Sequence, residues 1–578
     1  MAELNRRGFL TVAGSATAAA LMGGCAPAGP RQDEGSVTGD GRAESSHVLD
    51  VAWTDAMLDG TRVRLRAYNG TVPGPLLEVR PGERLRILVR NHLTPYDSGA
   101  WTGDHNVPHE LDTTNLHLHG MDVVPHLFEP VGTSDPLARM IAIGPGESKE
   151  YVFDIPADQP EGLYWYHPHH HGSTAVQAVS GLAGGIVVRG PVDDVPEIKA
   201  AREIVLVISD IGLFPSEQEH GSWLYEPVQN AVWDTFSGSV KRWDPRTRSM
   251  QIAPDLKSGF TTGDYALRYF LANGQPYFKE EHNAASPTMP VGTQLDAPRF
   301  TLRPGEVARF RFLNANSDSL MPLVVAGHDV HLIGLDGVNL PEPRRIGAVP
   351  VDGTTGQLLL APANRAEFLI RAGAPGLYPV VQLEQKRQFL VSARKTIAEI
   401  EVAGAPMNPP MGLPGRLPAP SREYPLIRDE EIVRIRKVVF SGAFPGVLNP
   451  IVGVDFMINN ALYDEQSIEA VVETHTAEEW HLSVPGTHQG GTEGHPFHIH
   501  VNSFEVISVG GVAQPPGTIM DTVWVPMHEE VVIRMRFKEW EGKSVFHCHI
   551  LPHEDTGMMQ NFLIRRAGRH QGEGRTLG

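Results

Sequence analysis

The chain has 578 residues, with 59 Gly, 47 Pro and 41% apolar side chains, enough for several cores but too rich in helix breakers for a helical protein. Against 68 Asp and Glu stand only 49 Lys and Arg, a formal charge of −19 without a basic patch, which argues against nucleic acid as a partner. Only Cys25 and Cys548 are cysteines, so no disulfide framework organises the fold.

Residues 1–30 read as a targeting segment. Asn5-Arg6-Arg7-Gly8-Phe9-Leu10 precedes an Ala-rich apolar run and small residues at Ala26 to Ala28. The pattern resembles a twin-arginine signal, which implies the twin-arginine export machinery and a periplasmic, cell-envelope or extracellular destination, reached already folded. Cys25 in LMGGC resembles a lipoprotein processing site, with Met22 where such sites usually have Leu, so a lipid anchor at Cys25 stays open. A membrane anchor over residues 8–24 stays open too, although that run is short. Residues 31–46 are polar and small, a flexible spacer.

Structure is expected from His47. Tyr68-Asn69-Gly70 and Pro81-Gly82-Glu83 are turn chemistry, Leu76 to Val79 is a short strand, and in RLRILVRN the residues Leu85, Ile87 and Val89 alternate with arginines as on a half-buried strand. The phrase returns at Asn273-Gly274 and Pro304-Gly305-Glu306, then degraded at Asn459-Asn460 and Glu473-Thr474-His475. Copies roughly 180 to 200 residues apart are too long for solenoid units, so each is a whole β-sandwich and the chain is all-β. The expected domains are 47–190, 200–403 and 426–567, with a Pro-rich linker at 404–425 and a tail at 568–578. Ser216 to Tyr265 reads as an irregular insertion that decorates the surface of the second domain.

The chemistry is concentrated in VFHCHILPHEDTGMM. A thiolate, two imidazoles and a weak thioether make a blue-copper electron-transfer centre, and Cys548, His553 and Met558 supply three of these groups. Alternate residues of a strand share a face, so Cys548 faces one metal while His547 and His549 face another. Partner histidines occur as pairs at His117/His119, His167/His169 and His498/His500, and His495, on the opposite face from His498, completes the thiolate site. Eight paired imidazoles suffice for a three-metal cluster shared between the first and third domains. Zinc is the rival metal, but a redox-silent ion has no use for a thiolate bonded between two cluster-facing histidines.

Together HLHG, HPH, HPFHIH and HCHILPHEDTGM resemble the three-domain, laccase-like multicopper oxidases, and the likeness covers about residues 47–567. The resemblance implies three tandem cupredoxin-like Greek-key sandwiches and four copper ions. It implies a type 1 copper on His495, Cys548, His553 and Met558 and a type 2 copper on His117 and His498. The type 3 pair would be held by His119, His167 and His549 on one ion and by His169, His500 and His547 on the other. Dioxygen and a small reductant are the implied substrates.

Reduction of dioxygen to water consumes protons, so carboxylates are expected near the cluster. Glu554 matches a family position for proton delivery; for a second one downstream of the first HxH motif the spacing departs from the family, and Asp135 is expected there, with Glu129 behind it. His170 and His171 are expected to take no copper, and Met558 rather than Met559 to be axial. A thioether there lowers the potential, which favours easily oxidised phenols and aromatic amines. The alternatives are a metallo-oxidase acting on Cu(I) or Mn(II), for which Met407 and Met411 are the nearest thing to a methionine pair, and a copper-free envelope scaffold.

Overall fold

A computed structural model describes residues 41–94, 105–350, 352–387, 390–486, 493–566 and 568; the signal segment, Cys25 and the spacer as far as residue 40 lie outside them. Strands dominate, as the turn-rich composition requires. In the first sandwich β1 (Glu44–Leu58), β2 (Thr61–Tyr68), β4 (Arg84–Asn91) and β6 (Ser148–Asp154) form one sheet in the order β6-β4-β1-β2. Facing it are β3 (Gly74–Val79), β5 (His117–His119), β7 (Gly162–His167) and β8 (Gly184–Val188), in the order β3-β8-β7-β5. Leu85, Ile87 and Val89 enter the core, while the intervening arginines find carboxylates, Arg84 on Asp154 and Arg90 on Asp50. The first strand starts at Glu44, three residues inside the expected spacer, because Glu44 pairs in register with Arg84 and its carboxylate meets Arg86 at 3.0 Å.

The second core lies between Ile204 and Val402, with Phe270, Phe278, Phe310 and Phe368 in it. The third, between Val438 and Ile564, is built on Trp480, Phe497, Phe504, Phe546 and Phe562. The repeated Asn has the same task in all three. Asn69, Asn273 and Asn459 adopt positive φ, and each side chain accepts the N–H of Asp50, Val207 or Val439 while donating to the carbonyl of Val48, Val205 or Lys437. One amide thus clamps the turn to the first strand of its sandwich. In the degraded third copy His475 takes the left-handed conformation (φ 63°) that Gly82 and Gly305 take in the others.

Residues 216–265 correct the expected irregular insertion. Ala231–Asp234, Ser239–Asp244 and Ser249–Ile252 form an antiparallel three-stranded sheet. β10 (Ser222–Leu224) pairs with both β2 and β9 (Arg202–Pro215), joining sheets of the first two sandwiches into one. The stretch also carries Tyr225 and Tyr265 against Val176 and Val179 of the helix α1 (Thr174–Val179), directly after the second histidine motif. The Pro-rich linker has no strand, yet Leu417, Met411 and Leu413 pack against Val307, Ile333 and Leu369 of the second sandwich.

Candidate metal centre

The strand Gly542–Cys548 is central to its sheet, antiparallel to His495–Ile499 on one side and to Met559–Arg565 on the other. The register sets Cys548 opposite Phe497 and His547 opposite His498, so the period of two sorts thiol and imidazoles onto different faces. On the thiol face, Cys548 Sγ lies 3.4 Å from His495 Nδ1 and 3.9 Å from His553 Nδ1, spacings that metal bonds of about 2.0–2.3 Å to one ion would produce. The Ile550 N–H donates to the sulfur at 3.4 Å. Met558 is fully buried in the same core and its carbonyl accepts the Cys548 N–H at 3.0 Å. Rings of Phe440 and Phe456 stack on His495 and His553. Burial pushes the Cys548 thiol well up and His495 down to about 3, so a thiolate is stable here only beside a cation.

On the other face eight buried imidazoles converge. Antiparallel pairing of β5 with β7 places His117 opposite His167. The donor atoms group as His119, His167 and His549, as His169, His500 and His547, and as His117 and His498 beside His119, each group within 4.8 Å. His547 Nε2 is 3.2 Å from both His169 Nε2 and His500 Nε2. Burial, then repulsion among neighbouring imidazoles, holds His117, His119, His169, His500 and His549 well below the ordinary histidine range, and burial brings His167 to about 3 and His498 to about 4. All are therefore neutral, with a lone pair to give. His117 Nε2, His119 Nδ1, His167 Nε2, His498 Nε2 and both nitrogens of His549 are buried without a hydrogen-bond partner, a cost of about 1–3 kcal/mol for each such atom, which a metal removes at one nitrogen of each ring. The donor set fits copper.

The same burial sets the pH dependence of the copper-free protein. Histidines near 6.5 in the unfolded chain but at about 3 to 4 in the fold mean that the unfolded state binds more protons, so stability falls as pH drops from about 6.5 toward 4. Asp336 and Asp555, raised to about 7 by burial, act in the opposite sense but are outnumbered. Thermal unfolding of copper-free protein is expected at lower temperature at pH 5 than at pH 7.5; an equal or higher melting temperature at pH 5 contradicts the neutral cluster.

Glu554, expected as a proton carrier, is fully buried, with Oε1 3.3 Å from His169 Nδ1 and Oε2 3.2 Å from His547 Nδ1. Burial and the neighbouring Asp555 push its carboxyl well up. Asp135 is a correction. It sits in an exposed turn, accepting the Leu137 N–H at 2.9 Å, and Glu129 is exposed too, paired with Lys149 at 2.6 Å. A loop carboxylate is free to turn to water, which the spacing of the motif could not reveal.

The sequence reading missed Asp521, whose Oδ1 accepts from His119 Nε2 at 3.1 Å and whose carbonyl accepts from His498 Nδ1 at 2.8 Å. Arg365 of the second sandwich holds this carboxylate by two bonds, 2.9 and 2.5 Å. Asp555 accepts the Gly172 and Ala175 N–H groups, both at 2.7 Å, tying the turn and helix after His169 to the third sandwich. A single acid far from any histidine pair, as Asp521 is, carries no sequence signal, whereas Asp555 stands inside the HCHILPHEDTGM stretch beside Glu554. His170 Nε2 lies 3.1 Å from Glu110, and His171 packs on Tyr463, outside the donor groups. Met559 pairs with His547 and packs with Val545 and Leu127, away from the thiol.

Three β-sandwiches with a buried Cys-His-His centre backing onto an eight-imidazole cluster define a copper-dependent oxidase. Models of the multicopper oxidase family match residues 50–193, 249–398 and 438–568. The chain belongs to that family: it is an oxidoreductase with copper as cofactor and dioxygen as acceptor. It is 25% identical to a laccase of Bacillus subtilis over 86% of this chain and 89% of that one. Multicopper oxidase MmcO of Mycobacterium tuberculosis is also 25% identical, over 87% of this chain and 83% of that one. Among solved structures, a metallo-oxidase of Campylobacter jejuni superposes with a TM-score of 0.63 at 23% identity, covering 92% of this chain and 93% of that one. McoA of Aquifex aeolicus gives 0.61 at 18% identity, with 92% and 100% covered.

Proposed function

We propose that the protein is a laccase-like oxidase that takes single electrons from phenols or aromatic amines and reduces dioxygen to water. The observation that carries this is the back-to-back arrangement on one strand: Cys548 meets His495 and His553 on one face, and His547 and His549 join the cluster on the other. His495, Cys548, His553 and Met558 would hold the type 1 ion; His117 and His498 the type 2 ion; and His119, His167, His549, His169, His500 and His547 the type 3 pair, four ions in all. When bound, copper supplies one-electron oxidation at the thiolate site and reduction of dioxygen at the cluster. Peptide bonds from Cys548 to its two neighbours are the shortest link between the donor sets. Glu554, whose carboxyl burial and Asp555 push well above the usual carboxylate range, sets its two oxygens 3.2–3.3 Å from the Nδ1 atoms of His547 and His169 and is the proton donor on the cluster side. The N-terminal signal would route the folded protein outside the cytoplasm by the twin-arginine pathway, with a lipid anchor at Cys25 as a variant of that route.

An aromatic reductant is favoured by what borders the thiolate site. The strands carrying Phe440 and Phe456, whose rings stack on His495 and His553, are joined by a loop whose Phe444, Val447 and Leu448 are more than half exposed. Met407 and Met411 lie elsewhere, Met411 against the second sandwich with its sulfur accepting the Val307 N–H. The relatives include both a protein named a laccase and one titled a metallo-oxidase, so turnover must decide. With the copper-loaded protein, oxygen uptake is expected at a higher kcat/KM on 2,6-dimethoxyphenol than on Cu(I) or Mn(II). A reversed order overturns the substrate, and a colourless protein without oxygen uptake overturns the activity.

A further inference from the structure

His126 is used by none of the donor groups, yet it is buried and in contact with one of them. Its Nδ1 is 3.0 Å from the carbonyl of Val124, which can only accept, so the proton of the neutral ring is on Nδ1. Its Nε2 is then an acceptor, and two N–H groups point at it: the backbone of Leu118 at 3.0 Å and the Nδ1 of His117 at 3.2 Å. The two rings are nearly parallel, 17° apart. His117 is thereby fixed as its Nδ1–H tautomer, and the Nε2 left over is the buried atom without a partner that faces the cluster.

The other cluster histidines are oriented differently. His119 directs its second nitrogen to a side-chain carboxylate, and His167, His498 and His547 direct theirs to a backbone carbonyl. His117 alone among these five rests on a neutral imidazole, whose single lone pair is shared with a backbone N–H. An outward partner of a ligating histidine fixes tautomer and ring angle and raises ligand basicity, and its loss weakens metal binding by about 10–100-fold.

We propose that His126 is a positioning residue for the type 2 copper, acting through His117: it selects the tautomer and ring angle that aim His117 Nε2 at the ion. This rests on the assignment of His117 and His498 as the type 2 ligands. No bond to copper is assigned to His126, because its ring nitrogens are both engaged.

The test uses the full-length copper-loaded protein and the variants His126→Leu and His126→Gln, with copper counted per chain, the type 1 absorption band recorded and the type 2 signal read by electron paramagnetic resonance. Leucine is expected to leave the type 1 band unchanged and to weaken retention of one copper by about 10–100-fold in a chelator titration, with loss or altered hyperfine splitting of the type 2 signal. Glutamine, whose side-chain oxygen can accept from His117 Nδ1, is expected to restore most of that retention. Leucine with unchanged stoichiometry and an unchanged type 2 signal overturns the inference. If the leucine variant does not fold, a crystal structure of the copper-loaded natural protein decides: His117 bound through Nε2 with Nδ1 against His126 supports it, while His117 bound through Nδ1, or copper on His126, overturns it. A natural protein that takes up no type 2 copper fails the ligand assignment instead, and is recognised before any variant is made.

Discussion

Cys548→Ser is expected to give a folded protein without the intense visible band, with cluster copper retained and substrate oxidation lost. The Cys548 sulfur meets both His495 and His553, and a serine hydroxyl does not ionise to replace a thiolate. The fold has other supports. Trp480, Phe497, Phe504, Phe546 and Phe562 are fully buried around this strand, each contributing about 1.5–3 kcal/mol. The new hydroxyl keeps the Ile550 N–H as a partner, so the stability cost stays at about 1–3 kcal/mol. Visible absorption, copper content and oxygen uptake on a dimethoxyphenol check the result together. Uptake at the natural rate in a colourless variant would mean that electrons enter by some route other than Cys548.

What the sequence disclosed follows from what kind of order sets each feature. The HxH pairs and the HCH triplet are legible because a strand converts a spacing of two into a shared face, and the registers His498 to His547 and His117 to His167 preserve it. The three Asn turns are legible because one side chain must satisfy the same two backbone groups in every sandwich. Asp135 stands in an exposed turn, where a loop acid has no period to hold it, while Glu554 is fixed one residue beyond His553 on a short buried helix. The strands of residues 231–252 escaped notice because they are short and half exposed, without clean alternation. Asp521 and Arg365 escaped for another reason, acting across a long sequence separation, and His126 because a lone histidine outside the HxH pairs has no motif to mark it.

Arg365→Met is the substitution outside the donor groups expected to cost most. The guanidinium is fully buried where the three sandwiches meet, donating to the Leu163 carbonyl of the first and to both Asp521 oxygens of the third while sitting on a strand of the second. Gly120 follows His119 at φ 82°, and a Cβ there would strike both Arg365 and Asp521, so the backbone beside the cluster is moulded to this pair. Asp336, 3.6 Å from Arg365, is already pushed up to about 7 by burial and by Asp521. Removing the cation leaves two buried acids facing each other, and breaking such a pair costs about 3–5 kcal/mol. Asp521 can then keep its charge only at that cost, or take a proton and lose its pull on the His119 N–H. Loss of cluster copper with an unchanged type 1 band, together with a lowered melting temperature, is the expected outcome. Full copper and natural stability would show that the second sandwich is a spacer with no hold on the cluster. Arg365→Met combined with Asp521→Asn removes both charges and leaves an amide oxygen for His119, so the double variant should recover much of the lost stability; the size of that recovery measures the penalty of the unpaired acid.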